Sequence, residues 1–539
     1  MSPQTHDRGR TVVIAPLRST ARRAIVARAA AALLVPLCAA LPLPAQAPKT
    51  TVPAGLTLVP EAERPLRRLV VGLDPLLTSP YMLPEGNLFD AKGNRRYAFV
   101  RRQLYWLNFE MMHGRIVTSI PKWTRLFVAV PDPRLHAPEL GDEREEFREY
   151  LKVRAGWTAE EIAERVRFFV VGRAVPYPQD IAEPIGSDAK GRLVLGIGAE
   201  ADVFYRDTLR TLVRAFPDDF AMHSLPGVNT EGGDVELVRL PGGNLGLLAG
   251  HHRVLRWLEY RYGEGVLGRE VSRERLEETR EAFRNAFFGL DVVFVNEDGL
   301  RSPSVLSDEL FHSDMIVNIA RGAKGPVAFV PSYGLEAVDA VSREPLAPDV
   351  VRRAQSIYDR VARQLAAHGF RIARLPFADH PVRNPVNVGK YTGPDGAQVV
   401  LLGKYPYHFA LPGSTNPQRE LQKRLDDLAE ALDEWRNRPS EPAWERVSQA
   451  FTSTWSEMDQ AAASPNPTFD RQAGIYAAEG ISVVPVPIFP TGEGGLHCLS
   501  LAQGPVPPSS STRAAAFLRE PRETTTTTPG LPPVLGGVQ

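Results

Sequence analysis

Apolar runs and amphipathic stretches alternate along this chain. The runs Leu69-Val70-Val71-Gly72-Leu73 and Leu126-Phe127-Val128-Ala129-Val130 have the length and composition of buried strands. From Thr158 the order becomes helix, then strand. Thr158 and Glu161 have capping-box spacing, which predicts a helix through about Val166, and Phe168-Phe169-Val170-Val171 follows at once. Leu209, Leu212, Val213 and Phe216 form a second helical stripe, stopped by Pro217 before the short run 220–222. Ser272 caps a third helix with Leu276, Thr279, Phe283 and Phe287 on one face; Gly289 ends it before a strand at 291–295. A fourth helix spans about 349–368 on Ala354, Ile357, Val361 and Leu365, and Gly369 separates it from a strand at 370–375. Asn416 and Pro417 open the clearest helix, whose stripe is Leu421, Leu425, Leu428, Leu432 and Trp435. A second helix through Val447 and Phe451 makes this a helical hairpin at about 416–460, inserted before a helical turn at 475–479 and a last strand at 481–488. Residues 97–112 show no period and predict no element, and His251-His252 reads as a surface turn after the run 245–248.

About five helix-then-strand units of unequal length imply an α/β fold. The 539 residues, 43% of them hydrophobic, suffice for a large core. Lys plus Arg and Asp plus Glu both number 63, so neither nucleic acid nor an anionic membrane is the expected partner. Arg18, Arg22, Arg23 and Arg28 precede the apolar run 29–43, and Ala45-Gln46-Ala47 has the form of a cleavage site. Residues 1–47 therefore read as a signal peptide, which implies an exported protein, periplasmic or secreted. At about fifteen residues the run is too short to span a bilayer, so no stable membrane insertion is expected; an uncleaved anchor is the alternative. A proline-containing linker, 48–65, leads to one domain at 66–503. The Pro-, Ser- and Thr-rich residues 504–539 read as a disordered tail.

Cys38 lies in the apolar leader, so Cys498 is the one cysteine of the mature chain. An unpaired thiol in an oxidising compartment points to chemistry rather than to a disulfide, and Gly492, Gly494 and Gly495 let the backbone near it approach a ligand. Polar motifs also follow the other strands. They are Tyr177-Pro178-Gln179-Asp180, Thr230-Glu231-Gly232-Gly233-Asp234, Phe311-His312-Ser313-Asp314 and the stretch 380–387. If the units pack about a common axis, these motifs converge. A thiolate can then attack an electrophilic carbon while a histidine moves protons and a carboxylate orients it. Further carboxylates suit a guanidinium, whose forked N–H donors two carboxylates can grip.

Gln-Asp at 179–180, Glu-Gly-Gly-Asp at 231–234, His-x-Asp at 312–314 and Gly-Gly-Leu-His-Cys at 494–498, in that order, resemble the pentein superfamily of guanidino-group-modifying enzymes. The nearest branches in pattern are the agmatine deiminases and the bacterial peptidylarginine deiminases. The resemblance implies a pseudo-fivefold propeller of ββαβ units and hydrolysis of a guanidino group to a ureido product and ammonia. Carried over, it implies Cys498 as nucleophile, His312 as general acid and base, Glu231 orienting His312, and Asp180 and Asp314 binding the guanidinium. It implies no cofactor and no metal, and a small-molecule or peptidyl guanidine as partner. Gln179 before the aspartate is similar to the animal peptidylarginine deiminases and Asp234 to the arginine deiminases, so the substrate stays open among peptidyl-arginine, agmatine and arginine. The rival expectations are an amidinotransferase, a non-catalytic binding protein on the same fold, and a metal hydrolase using His312, Asp314 and His497.

Overall fold

Among the described residues there are five small sheets, and none closes on itself. The computed structural model describes residues 51–73, 95–132, 143–172, 175, 178–198, 203–228, 232–263, 270–301, 312–333, 337, 345–378, 385–404, 417–488 and 501–502, all in the unit Lys49–Gln539. A short β1 (Thr57–Leu58) precedes β2 (Arg68–Gly72), the helix α1 (Arg95–Phe109) and β3 (Arg125–Pro131). The helices α2 (Glu143–Arg154) and α3 (Ala159–Arg165) then lead to β4 (Val166–Val171). The next group is β5 (Glu183–Ser187), β6 (Leu193–Gly198), α4 (Val203–Ala215) and β7 (Phe220–Leu225). After it come β8 (Val235–Arg239), β9 (Leu245–Gly250), α5 (His251–Tyr262), α6 (Arg273–Ala286) and β10 (Asp291–Val295). A further group is β11 (Asn318–Gly322), β12 (Gly325–Tyr333), α7 (Pro348–Ala367) and β13 (Arg371–Phe377). Last are β14 (Gly389–Thr392), β15 (Gln398–Lys404), α8 (Pro417–Asn437), α9 (Glu441–Ala463), α10 (Pro467–Ala478), β16 (Ser482–Pro487) and the two-residue β17 (Leu501–Ala502).

Every sheet repeats one pairing scheme. An antiparallel pair, β5–β6, β8–β9, β11–β12 or β14–β15, shares its second strand with a parallel neighbour, β7, β10, β13 or β16. In the fifth sheet β17 lies antiparallel on β2, and β2, β3 and β4 run parallel. Parallel neighbours need a crossover that a hairpin cannot supply, and the helices provide it. The expected helix-then-strand order is this crossover: the five expected strands are β4, β7, β10, β13 and β16, each an edge of its sheet. The α/β class of the sequence is the class observed.

Strand periodicity sends alternate residues into different cores. Leu69 and Val71 join a cluster with Leu401 and Val486, whereas Val70 joins Phe127, Leu193 and Leu195. Val235 and Leu237 pack with Ile185 and Leu225, whereas Val238 packs with Ile319 and Val330. Ala320 and Phe329 pack with Val400 and Leu402. Each sheet thus contributes to two of these clusters, one on each face.

Residues 97–112, for which the sequence predicted no element, form α1 and a π-helical turn at Glu110–Gly114. Their apolar positions show no single stripe because the helix is covered from two directions. Phe99 meets Trp444 and Phe451 of α9, while Trp106 and Phe109 meet Tyr150 of α2. Within the stretch read as a linker, Thr57–Leu58 pairs with β5, and Arg64 is wholly buried with its Nε donating to the Val59 carbonyl at 2.8 Å.

Candidate functional site

The connections that enter β5, β8, β11, β14 and β17 carry the polar motifs. The 3-10 turn Pro178–Ile181 holds Gln179 and Asp180 just before β5. Gly232, Gly233 and Asp234 precede β8, and His312 with the 3-10 turn Ser313–Met315 precedes β11. β17, which begins three residues after Cys498, packs against the Pro178–Ile181 turn, as does β2.

Three of these connections meet at the two glycines. A side chain on Gly232 would come within 1.9 Å of the Gln179 carbonyl oxygen and 2.8 Å of that of Ala182. Gly233, at φ +85°, faces the other way: a Cβ there would stand 2.8 Å from Asp314 Oδ2 and 3.3 Å from His312 Nδ1. The Asp314 N–H donates to the Gly233 carbonyl at 3.0 Å, and the Ser313 hydroxyl donates to the same oxygen at 3.0 Å. Only glycine combines this φ with this closeness.

Of the expected site residues, His312 and Asp314 are brought together against Gly233, both buried, with 3% and 7% of their surface exposed. Asp180 is half-buried in the turn that abuts Gly232. Glu231 and Cys498 lie outside the described residues, as do His497 and residues 380–384. Among the described residues no group of three or more His, Cys, Asp or Glu side chains is arranged to hold a metal ion, and no helix is long and apolar enough to cross a membrane.

Asp234 supplies a tie for which the sequence reading assigned no role. It is fully buried; its Oδ1 accepts the Ser313 backbone N–H at 3.0 Å and its Oδ2 accepts Arg253 Nε at 3.1 Å. The one local signal was its place directly after Glu-Gly-Gly.

The expectation of a surface turn at His251-His252 is corrected. β9 ends at Gly250 and α5 begins at once, because Val254, Leu255, Trp257 and Leu258 must reach the core; His251 is therefore the buried first residue of a helix. Burial, with Arg360 nearby, depresses the His251 imidazole to about 4. His252 is depressed to about 3 by burial and by Arg253 and Arg256. His252 Nδ1 lies 3.9 Å from Asp234 Oδ2 but 3.1 Å from Arg253 Nη2, which can only donate, so the ring is neutral.

The strands that follow these connections carry buried polar groups, Glu183 on β5, Glu236 on β8, Asn318 on β11 and Lys390 on β14. Lys390 Nζ pairs with Glu236 and donates to Asn318 Oδ1 at 3.0 Å. Burial lowers the Arg64 guanidinium to about 10, against the opposing pull of Glu183, Glu61 and Glu236.

No family model matches the chain, and no curated protein matches it.

Proposed function

We propose that this protein is a hydrolytic deiminase of a guanidino group, working through a covalent cysteine intermediate on a pentein-type propeller. The observation that carries the proposal is the pair of close approaches at Gly233, where His312 and Asp314 stand against the Gly-Gly turn that follows Glu231. A histidine beside a carboxylate, at a turn whose other side abuts the connection holding Asp180, matches the order of motifs that such chemistry needs. Supporting the propeller reading, five sheets share one pairing scheme and each contributes to two of the core clusters.

In the proposed reaction Asp180 and Asp314 accept hydrogen bonds from the guanidinium, fixing its plane and offsetting its charge. The Cys498 thiolate, favoured by the bound cation, adds to the guanidinium carbon. The tetrahedral adduct collapses as His312 gives a proton to the departing amine, releasing ammonia and leaving an amidino-thioether. Water, deprotonated by His312 held in orientation by Glu231, then adds to the same carbon. Collapse breaks the C–S bond, regenerating the thiolate and releasing the ureido product. The sum is one guanidinium and one water giving one ureido compound and one ammonium ion. No cofactor enters this sequence.

The test is release of ammonia and ureido product by the mature protein, offered arginine, agmatine and an arginine-containing peptide in parallel, with Cys498→Ala as control. Turnover of one of them, abolished in the control, is expected. Product that persists in Cys498→Ala contradicts the covalent mechanism, and transfer of the amidino group to an added amine in preference to water replaces the hydrolase with an amidinotransferase.

A further inference from the structure

We infer that Asp234 and Arg253 are positioning residues for the His312–Asp314 connection, an assignment that rests on the deiminase reading. Ser313 is the residue between His312 and Asp314, and its backbone N–H is held by Asp234 Oδ1 at 3.0 Å. The other oxygen of Asp234 is held by Arg253 Nε at 3.1 Å. The Asp234 carboxylate is wholly buried and the Arg253 side chain is 5% exposed, so the ion pair works in a medium where such bonds are strong and directional. The backbone of Asp234 is fixed as well, because its carbonyl accepts the Gly250 N–H at 2.7 Å. A Cβ at Gly250 would fall 1.6 Å from Asp234 Oδ1 and 3.2 Å from the Ser313 nitrogen. Glycine at the end of β9 is what lets the carboxylate reach Ser313.

Asp234 and Gly233 each hold part of the connection. Asp314 keeps its own tie through its N–H to the Gly233 carbonyl, and the Ser313 hydroxyl adds another to the same oxygen. The peptide joining His312 to Ser313 has Asp234 as the acceptor of its N–H, and its carbonyl accepts the Met315 N–H at 3.2 Å. Weakening the Asp234–Arg253 pair therefore loosens the peptide next to His312, while the Asp314 N–H keeps its bond to the Gly233 carbonyl. The consequence is a chemical step that slows more than binding weakens, because a displacement of about 1 Å in a reacting group costs about 100-fold.

The experiment compares Asp234→Asn, Arg253→Gln and Arg253→Lys with the parent in three readouts. These are kcat and KM on whichever guanidine the parent turns over, the melting transition, and the rate of Cys498 labelling by a haloacetamidine, which needs the thiol and the guanidinium pocket but no protonation of departing ammonia. Asp234→Asn and Arg253→Gln are expected to keep a cooperative melt, lose about 100-fold in kcat, change KM less than about threefold and label at near the parental rate. Arg253→Lys, which retains the charge, is expected to recover a large part of kcat. Equal losses in labelling and turnover, or unchanged kcat, overturn the assignment. Loss of the folded state in both Asp234→Asn and Arg253→Gln also overturns it, since the pair then serves the fold alone. If the parent itself neither turns over a guanidine nor labels, it is the deiminase reading that fails, and that outcome is read on the parent before any variant.

Discussion

The Asp314 backbone N–H donates to the Gly233 carbonyl at 3.0 Å, joining two connections that belong to different sheets. That bond, with the Asp234–Ser313 bond beside it, is why a Gly-Gly-Asp turn and a His-x-Asp turn act as one piece of structure. Substitution at this contact separates a catalytic effect from a stability effect. Gly233→Ala places a methyl 2.8 Å from Asp314 Oδ2 at a φ that L-residues rarely adopt. The backbone strain costs about 1–2 kcal/mol of stability, while the displaced Asp314 and His312 cost about 100-fold in kcat/KM. Melting and turnover measured on the same sample check this; loss of activity no greater than the loss of folded protein contradicts it.

The Lys390–Glu236 pair predicts a large thermodynamic effect away from the turns. Both residues are buried, and Lys390 also donates to Asn318 Oδ1. Lys390→Met removes the cation that Glu236 pairs with, and breaking such a buried pair from one side costs about 3–5 kcal/mol. Adding Glu236→Leu removes the carboxylate that has lost its Lys390 partner and is expected to restore part of the loss, with Arg64 still facing Glu183 and Glu61. Denaturant unfolding of the two variants tests this, and additive losses contradict it.

His251 makes stability depend on pH. Its imidazole is depressed from the ordinary 6.5 to about 4, so in this window the unfolded chain takes up a proton that the folded chain refuses. The contribution is fully present above pH 6.5 and is lost as pH falls toward 4. His251→Phe removes that titration while keeping an aromatic ring in the buried site. Unfolding midpoints between pH 4 and 7 are expected to vary less in the variant than in the parent; equal slopes contradict the account.

A largely buried cluster of charges ties the helical hairpin to α2 and to the turn after α1. Arg154 Nη2 lies 2.9 Å from Glu110 Oε1 and 2.7 Å from Asp459 Oδ1, and Arg115 Nη2 lies 2.6 Å from Asp459 Oδ1. Burial raises the Glu110 carboxyl, but Arg115 and Arg154 more than reverse this and hold it below the ordinary carboxylate range; the same guanidiniums hold Asp459 down against its burial. Carboxyls depressed on folding stabilise above their unfolded values and cease to do so as pH falls through the folded ones. Amide exchange in α9 is therefore expected to rise selectively below about pH 4, and more so in Asp459→Asn at neutral pH. Uniform exchange across the helices contradicts this.

What the sequence made legible was the half of each sheet nearest a helix. Capping at Thr158 and Ser272, stripes such as Ile357, Val361 and Leu365, and terminal glycines at 289 and 369 are local signals, and the helices they mark are present with those caps. The antiparallel pairs were not legible. β5 is the sequence Glu-Pro-Ile-Gly-Ser, yet all five of its residues are buried, because neighbouring strands and Arg64 cover it from positions remote in sequence. α1 was hidden by burial on more than one side, and His251 was misread because nothing local says that a helix starts directly at a strand's end. Of the site, the motifs His312-Ser313-Asp314 and Gly232-Gly233-Asp234 were visible as short patterns, and their contact was inferred from order alone. The Asp234–Arg253 pair was not, since an ion pair across 19 residues leaves no local trace.

The central claim is that a cysteine takes the amidino carbon from a guanidine. It is tested most directly by quenching the protein in acid during turnover of its best guanidine substrate and mapping the mass of the Cys498 peptide. A substrate-derived amidino adduct on Cys498 is expected at early quench times in the parent and is absent in Cys498→Ala. Turnover by the parent with an unmodified Cys498 peptide at every quench time contradicts it.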